Sequence, residues 1–195
     1  MKSRHVWFLA AVVLASGCGK QERIESVQLS QILEQNQAKF AAANSDEKEL
    51  ISSARAWSGE VTANGPGQGV QLDQDVAVAT TLAKSAVAIS AQLGQVRQAF
   101  YDLSLKQEST QNIRDALITE LSNRQKILQD IRTMLEQSVP DFVAYRHSKD
   151  FKNDTYPAGI QRLVALLQGY KAPADAIGSA LSGLKTKYKI NGASL

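Results

Sequence analysis

LDQDVAVATTLAKSAVAISAQLGQVRQAFYDLSLK, residues 72–106, is the stretch whose reading decides the fold. Val78, Leu82, Ala86, Ile89, Leu93, Val96, Phe100 and Leu103 follow one another in steps of four and three. That rhythm is the buried seam of a helix with coiled-coil-like packing. A second stripe of small residues, Ala79, Ala83, Ala86, Ser90 and Gly94, runs beside it. Two adjacent stripes predict a helix that touches more than one neighbour, the small one admitting a close approach. Asp73 and Asp75 suit its N-terminus, where negative charge meets exposed backbone N–H groups. A membrane-spanning reading of 76–94 is disfavoured. Lys84 near its centre costs about 2.5–3.5 kcal/mol, and each of the six Val, Leu and Ile residues returns only about 0.3–0.6.

The same rhythm continues downstream. Ile113, Leu117, Leu121, Arg124, Leu128, Ile131 and Leu135 predict a second long helix over 110–138. Glu120–Arg124, Lys126–Asp130 and Arg132–Glu136 are expected as four-residue ion pairs on its outer faces. Pro140 is expected to stop it, because a proline removes a backbone donor. The short link before this helix predicts an antiparallel hairpin. Residues 141–156 read as a polar loop with aromatic anchors. Pro157 and Pro173 are placed to open two shorter helices, with faces Ile160, Leu163, Val164, Leu167, Tyr170 and Ile177, Leu181, Leu184, Tyr188. Asn191-Gly192 reads as a stop signal. Upstream, Ile24, Val27, Ile32, Leu33 and Phe40 predict a modest amphipathic helix, and Leu50, Ile51, Ala54, Trp57 and Val61 a further helical stretch. Asn44 with Glu47 reads as a weak capping box, marking a new start or a break. The fold expected is all-α: an elongated up-down bundle of four to five helices, organised as 18–44 (tether and first helix) and 45–195 (bundle).

The N-terminus carries an address. Lys2 and Arg4 precede about ten apolar residues, Val6 to Ala15, too few to span a bilayer core. This is the pattern of a secretory signal peptide over 1–17. Leu14-Ala15-Ser16-Gly17-Cys18 resembles the lipobox of bacterial membrane lipoproteins, although the usual leucine three before the cysteine is Ala15 here. The resemblance covers only the first twenty residues. It implies that Cys18 receives a diacylglycerol thioether, that the chain is cut before it, and that its new amino group takes an acyl chain such as palmitate. Several chains hold a protein firmly, at about 0.8 kcal/mol per buried methylene. With Gly19 rather than an aspartate next, the resemblance implies the periplasmic face of the outer membrane in a double-membraned source. Cys18 is the sole cysteine, so no disulfide is expected.

Charge limits the partners. The 195-residue chain is formally +3, and removal of 1–17 takes two basic groups and no acid, leaving +1. A broad nucleic-acid footprint is therefore not expected. Residues 18–141 sum to −4 and 142–195 to +5, so the basic end either meets anionic lipid or an acidic partner, or is a solvated face.

Little catalytic chemistry is legible. His147 is the one histidine left after signal removal, and with Asp150 and Asp154 it makes a poor metal set. No nucleophile-elbow motif occurs. ANGPGQG (63–69) lacks the Gly-Lys-Ser/Thr close of a phosphate loop, and GSALSGLKT (178–186) misses it by one inserted leucine in a helical context. Trp57, Tyr145, Tyr156 and Tyr170 read as core rather than ligand aromatics. No catalytic residue, cofactor or metal is expected. The expectation is a non-catalytic, membrane-anchored envelope lipoprotein acting as a structural or protein-interaction module, with a bundle that senses or carries a small molecule between helices as the alternative. A buried polar cluster between the two long helices would favour the sensor. An apolar seam there, with an exposed apolar stripe elsewhere, would favour a partner.

Overall fold

A computed structural model describes residues 4–64, 70–147, 158–171 and 175–190. Its described residues form five α-helices, α1 (Arg4–Asn64), α2 (Val70–Tyr101), α3 (Glu108–His147), α4 (Ala158–Gly169) and α5 (Ala176–Tyr188), with no strand among them. The protein is an all-α helical bundle. Two compact units share the first three helices: unit 1 takes 1–38, 96–120 and 175–195, and unit 2 takes 39–95 and 121–174.

Helix α1 shows no break at Asn44. Among its buried positions, Ser26, Leu29, Leu33, Asn36, Phe40, Ala43, Glu47 and Leu50 alternate steps of three and four. The seam is regular, but three of its members are polar, so an apolar count misses it. Ile24, expected on the buried face, is 43% exposed. Glu47 lies in the core instead of capping a helix.

In unit 2, Leu82, Ala86, Ile89 and Leu93 of α2 are buried as their spacing predicts, and Val78 is exposed. Ala79 and Ala83 of the small stripe are buried too. The stripe has a definite use at its far end. Gln125 of α3 donates from Nε2 to the Ser90 carbonyl at 2.8 Å, and a Cβ on Gly94 would stand 3.0 Å from that same nitrogen. Glycine there leaves room for the amide that ties α2 to α3. On α3, Leu121, Leu128, Ile131 and Leu135 fill the facing seam.

α3 runs through Pro140 to His147. Pro140 is exposed, so water can satisfy the carbonyl left without its usual partner. The expected loop therefore starts later than 141, and residues 148–157 lie outside the described residues. Gly159 at the start of α4 packs against α3, where an added Cβ would meet the Met134 carbonyl at 3.3 Å.

In unit 1, Leu29, Leu33, Val96, Phe100, Leu105, Leu117, Ile177, Leu181 and Leu184 form the core. α5 opens on Asp175, whose carboxylate accepts from Gly178 N at 2.9 Å. Pro173, expected to open it, lies outside the described residues, as do Pro157 and Asn191-Gly192. α5 ends at Lys189, a left-handed residue with φ 50°, and Ile190 N donates to the Lys185 carbonyl at 3.2 Å.

Candidate interaction surface

The outward side of α2 exposes apolar groups. One 18-residue window within Gln71–Tyr101 has a mean hydropathy of 1.4, yet only 33% of it is buried. The inner seam cannot absorb the rest, so apolar groups face out. Val78 and Val87 are 40% and 44% exposed, and Ala77, Ala88 and Ala91 are exposed beside them. The hydroxyls on this side turn back on their own helix. Thr80 Oγ1 donates to the Val76 carbonyl at 2.8 Å, Thr81 Oγ1 to Ala77 at 2.8 Å and Ser85 Oγ to Thr81 at 3.2 Å. Their donors are thereby satisfied internally.

Next to this face lies an open groove of about 450 Å³, lined by Thr80, Ala83, Lys84 and Val87 of α2 and Arg132, Glu136 and Val139 of α3. Arg132 and Glu136 neutralise each other at 2.7 Å, as their spacing predicts. Lys84 is exposed and makes no ion pair among the described residues. The groove is thus apolar with one uncompensated positive charge.

The buried polar groups sit elsewhere. In unit 2, the Glu47 carboxylate of α1 takes Arg124 Nε at 2.9 Å and also Arg124 Nη2. The expected surface pair Glu120–Arg124 is therefore corrected: the Arg124 side chain is 4% exposed, and α1 holds it. Its guanidinium lies 4.9 Å from the centroid of the Phe40 ring. Nη1 is buried without a hydrogen bond, leaving the stack on Phe40 as its neighbour contact. Tyr170, just after α4, donates its hydroxyl to Glu47 Oε1. Burial, and then the hydrogen bond to the Glu47 carboxylate, push the Tyr170 phenol far above its usual range. Arg55 reaches the end of α4, giving Nη2 to the Leu167 carbonyl at 2.7 Å and to Tyr170 O at 3.1 Å. A cation there meets the negative end of the helix dipole.

In unit 1, two carboxylates of α1 organise the other elements. Glu25 accepts Lys106 N at 3.1 Å, Gln107 N at 2.9 Å and Thr110 Oγ1 at 2.8 Å. It is an N-terminal cap for α3 supplied by another helix. Burial pushes the Glu25 carboxyl up, but the bonds from Gln21, Gln107 N, Thr110 and Lys106 N outweigh it and bring it to about 2. Glu22 accepts Ser109 Oγ at 2.6 Å, the Tyr188 hydroxyl, and Lys187 Nζ at 3.3 Å. Those bonds, from Ser109 first, hold its carboxyl at about 2.

Of the residues singled out by sequence, Trp57 is core at 5% exposure and Tyr170 is half-buried on Glu47. Cys18 lies within α1 and His147 ends α3, but the side chains of both, and of Tyr145, lie outside the described residues. So do Asp150, Asp154, Tyr156 and residues 65–69. GSALSGLKT lies wholly within α5, with Gly178 N held by Asp175. No group of three or more His, Cys, Asp or Glu suited to a metal occurs among the described residues. No protein-family model matches the chain, and neither a curated protein nor a solved structure does.

Proposed function

We propose that this chain is a membrane-anchored envelope lipoprotein, acylated at Cys18, that acts as a non-catalytic protein-interaction module. The lipobox-like segment 14–18 supports the anchor. The observation that carries the interaction reading is the outward face of α2, apolar over several turns and stripped of free hydroxyl donors. Its occupant is a helix of another envelope protein, with small or aliphatic residues on its contact face and a carboxylate opposite Lys84. Lys84 supplies the charge complementarity, and the groove beside it supplies the depth.

The sensor alternative is less well supported. The large buried polar cluster joins α1, α3 and Tyr170 rather than α2 and α3, and its members mainly bond one another. A photoreactive amino acid at Val87 in the native lipoprotein tests the reading. The expected result is one discrete protein adduct that disappears with Lys84→Glu, whereas the same probe at exposed Glu49 gives none. Equal labelling from both positions, or a metabolite retained by the purified protein in native mass spectrometry, overturns it.

A further inference from the structure

The helix that would carry the lipid enters unit 1 without a tether. α1 is continuous through Cys18, Gly19 and Lys20, and Glu22 is already bonded to α3 and α5. At a rise of about 1.5 Å per residue, Glu22 stands about 6 Å along the axis from Cys18 and Glu25 about 10 Å. The link 102–107 and the last turn of α5 surround α1 at this level, since Glu25 holds Lys106 N and Gln107 N, and Glu22 holds Tyr188.

With Lys187 on Glu22, cations and carboxylates nearly balance at that end of unit 1, but its solvent-facing side is richer in cations and carries exposed apolar groups. Lys20, Arg23, Lys106 and Lys189 are all exposed, Ile24 is 43% exposed and Tyr101 56%. Four acids share the end. Glu22 and Glu25 are bound inward by hydroxyls and backbone N–H groups, Asp102 accepts Gln98 Nε2 at 2.8 Å, and Glu108 occupies the first turn of α3. The four cations therefore outnumber the carboxylates still facing solvent.

We infer that this end lies against the membrane, its four cations on anionic phospholipid headgroups and Tyr101 and Ile24 at the interface. The inference rests on acylation of Cys18, which brings the end to about a Debye length (~8 Å) from the headgroups. Lysines and arginines so close to an anionic surface are attracted, and tyrosine favours the headgroup level. Lipid attachment and surface contact then act together, fixing an orientation that acyl chains alone leave free.

The test uses the native lipoprotein, purified from membranes and reconstituted into phosphatidylcholine vesicles with brominated acyl chains, with or without phosphatidylglycerol. Tyr101→Trp provides the probe, and the parent, with Trp57, gives the baseline. Fluorescence of the introduced indole is expected to be quenched roughly two-fold more on the anionic vesicles. The difference is expected to vanish when Lys20, Arg23, Lys106 and Lys189 are all replaced by Gln, and also in about 1 M salt, where the Debye length is ~3 Å. Salt leaves the sequence intact, so it decides the matter even if the substituted chain misfolds. Equal quenching on both vesicles by protein that intact mass shows to be acylated overturns this inference alone. A mass without the acyl groups overturns the anchor reading instead.

Discussion

The two units bury charge by different means. Unit 1 buries the Glu25 anion against dipoles: two backbone N–H groups and a hydroxyl that α3 needs satisfied in any case. Unit 2 buries opposite charges against each other, Glu47 against Arg124, with Phe40 below and the Tyr170 hydroxyl alongside. In the first arrangement the carboxylate replaces water at a helix end. In the second each ion is held in place by its counter-ion, and neither has a substitute. Damage to the two should therefore differ in size.

The largest effect is expected from Arg124→Ala. It strands Glu47 in the core and should lower unfolding free energy by about 3–5 kcal/mol, read by chemical denaturation. Pairing Arg124→Met with Glu47→Leu should recover most of that loss, because neither charge remains buried. If the single change proves no worse than a change at Glu25, the contrast between the units fails.

Glu25→Ala should come next, at about 2–3 kcal/mol, from donors left without an acceptor. Acid sharpens the point. Glu22 and Glu25 titrate at about 2 in the fold, against 4.5 for an ordinary glutamate. The stability they lend is complete above about pH 4.5 and is lost as pH falls toward 2. Denaturation midpoints across that window should fall less steeply in Glu25→Gln than in the parent.

Asp175→Ala removes an ordinary local cap and should cost about 1 kcal/mol. Gly178 allows no alternative there, since a Cβ would stand 2.3 Å from the Asp175 Oδ2. The smallest stability effect is expected from Lys84→Glu, within about 0.5 kcal/mol, because the side chain is exposed. A larger loss by thermal melting would mean that Lys84 supports the fold and does not await a partner.

Periodicity made much of this architecture legible. Leu82, Ile89, Leu93, Leu128, Ile131 and Leu135 are buried where their spacing puts them. The antiparallel hairpin was legible from the short link between α2 and α3, and Gln125 bonds Ser90 across it. Polar seam positions were not. Arg124 falls in the register of its apolar neighbours, which is a usable signal of burial, yet nothing local names Glu47 as its partner 77 residues away. Ser26, Asn36 and Glu47 keep the register of α1 but look like surface residues by type. Pro140 shows the opposite limit: a strong local breaker is tolerated where the carbonyl it orphans can face water. The outward apolar face of α2 was partly legible as excess hydropathy, but which side stayed uncovered depends on where the other helices lie.

Glu25 and the amides it holds are 81 and 82 residues apart in the chain. The start of α3 thus has no acceptor of its own nearby until the N-terminal part of α1 returns to it. Closing a loop of that length carries an entropic cost before any bond forms. The turn between α2 and α3, short as it is, should then be among the last parts to set during refolding, and its amides among the first to exchange with solvent deuterium when α1 loosens.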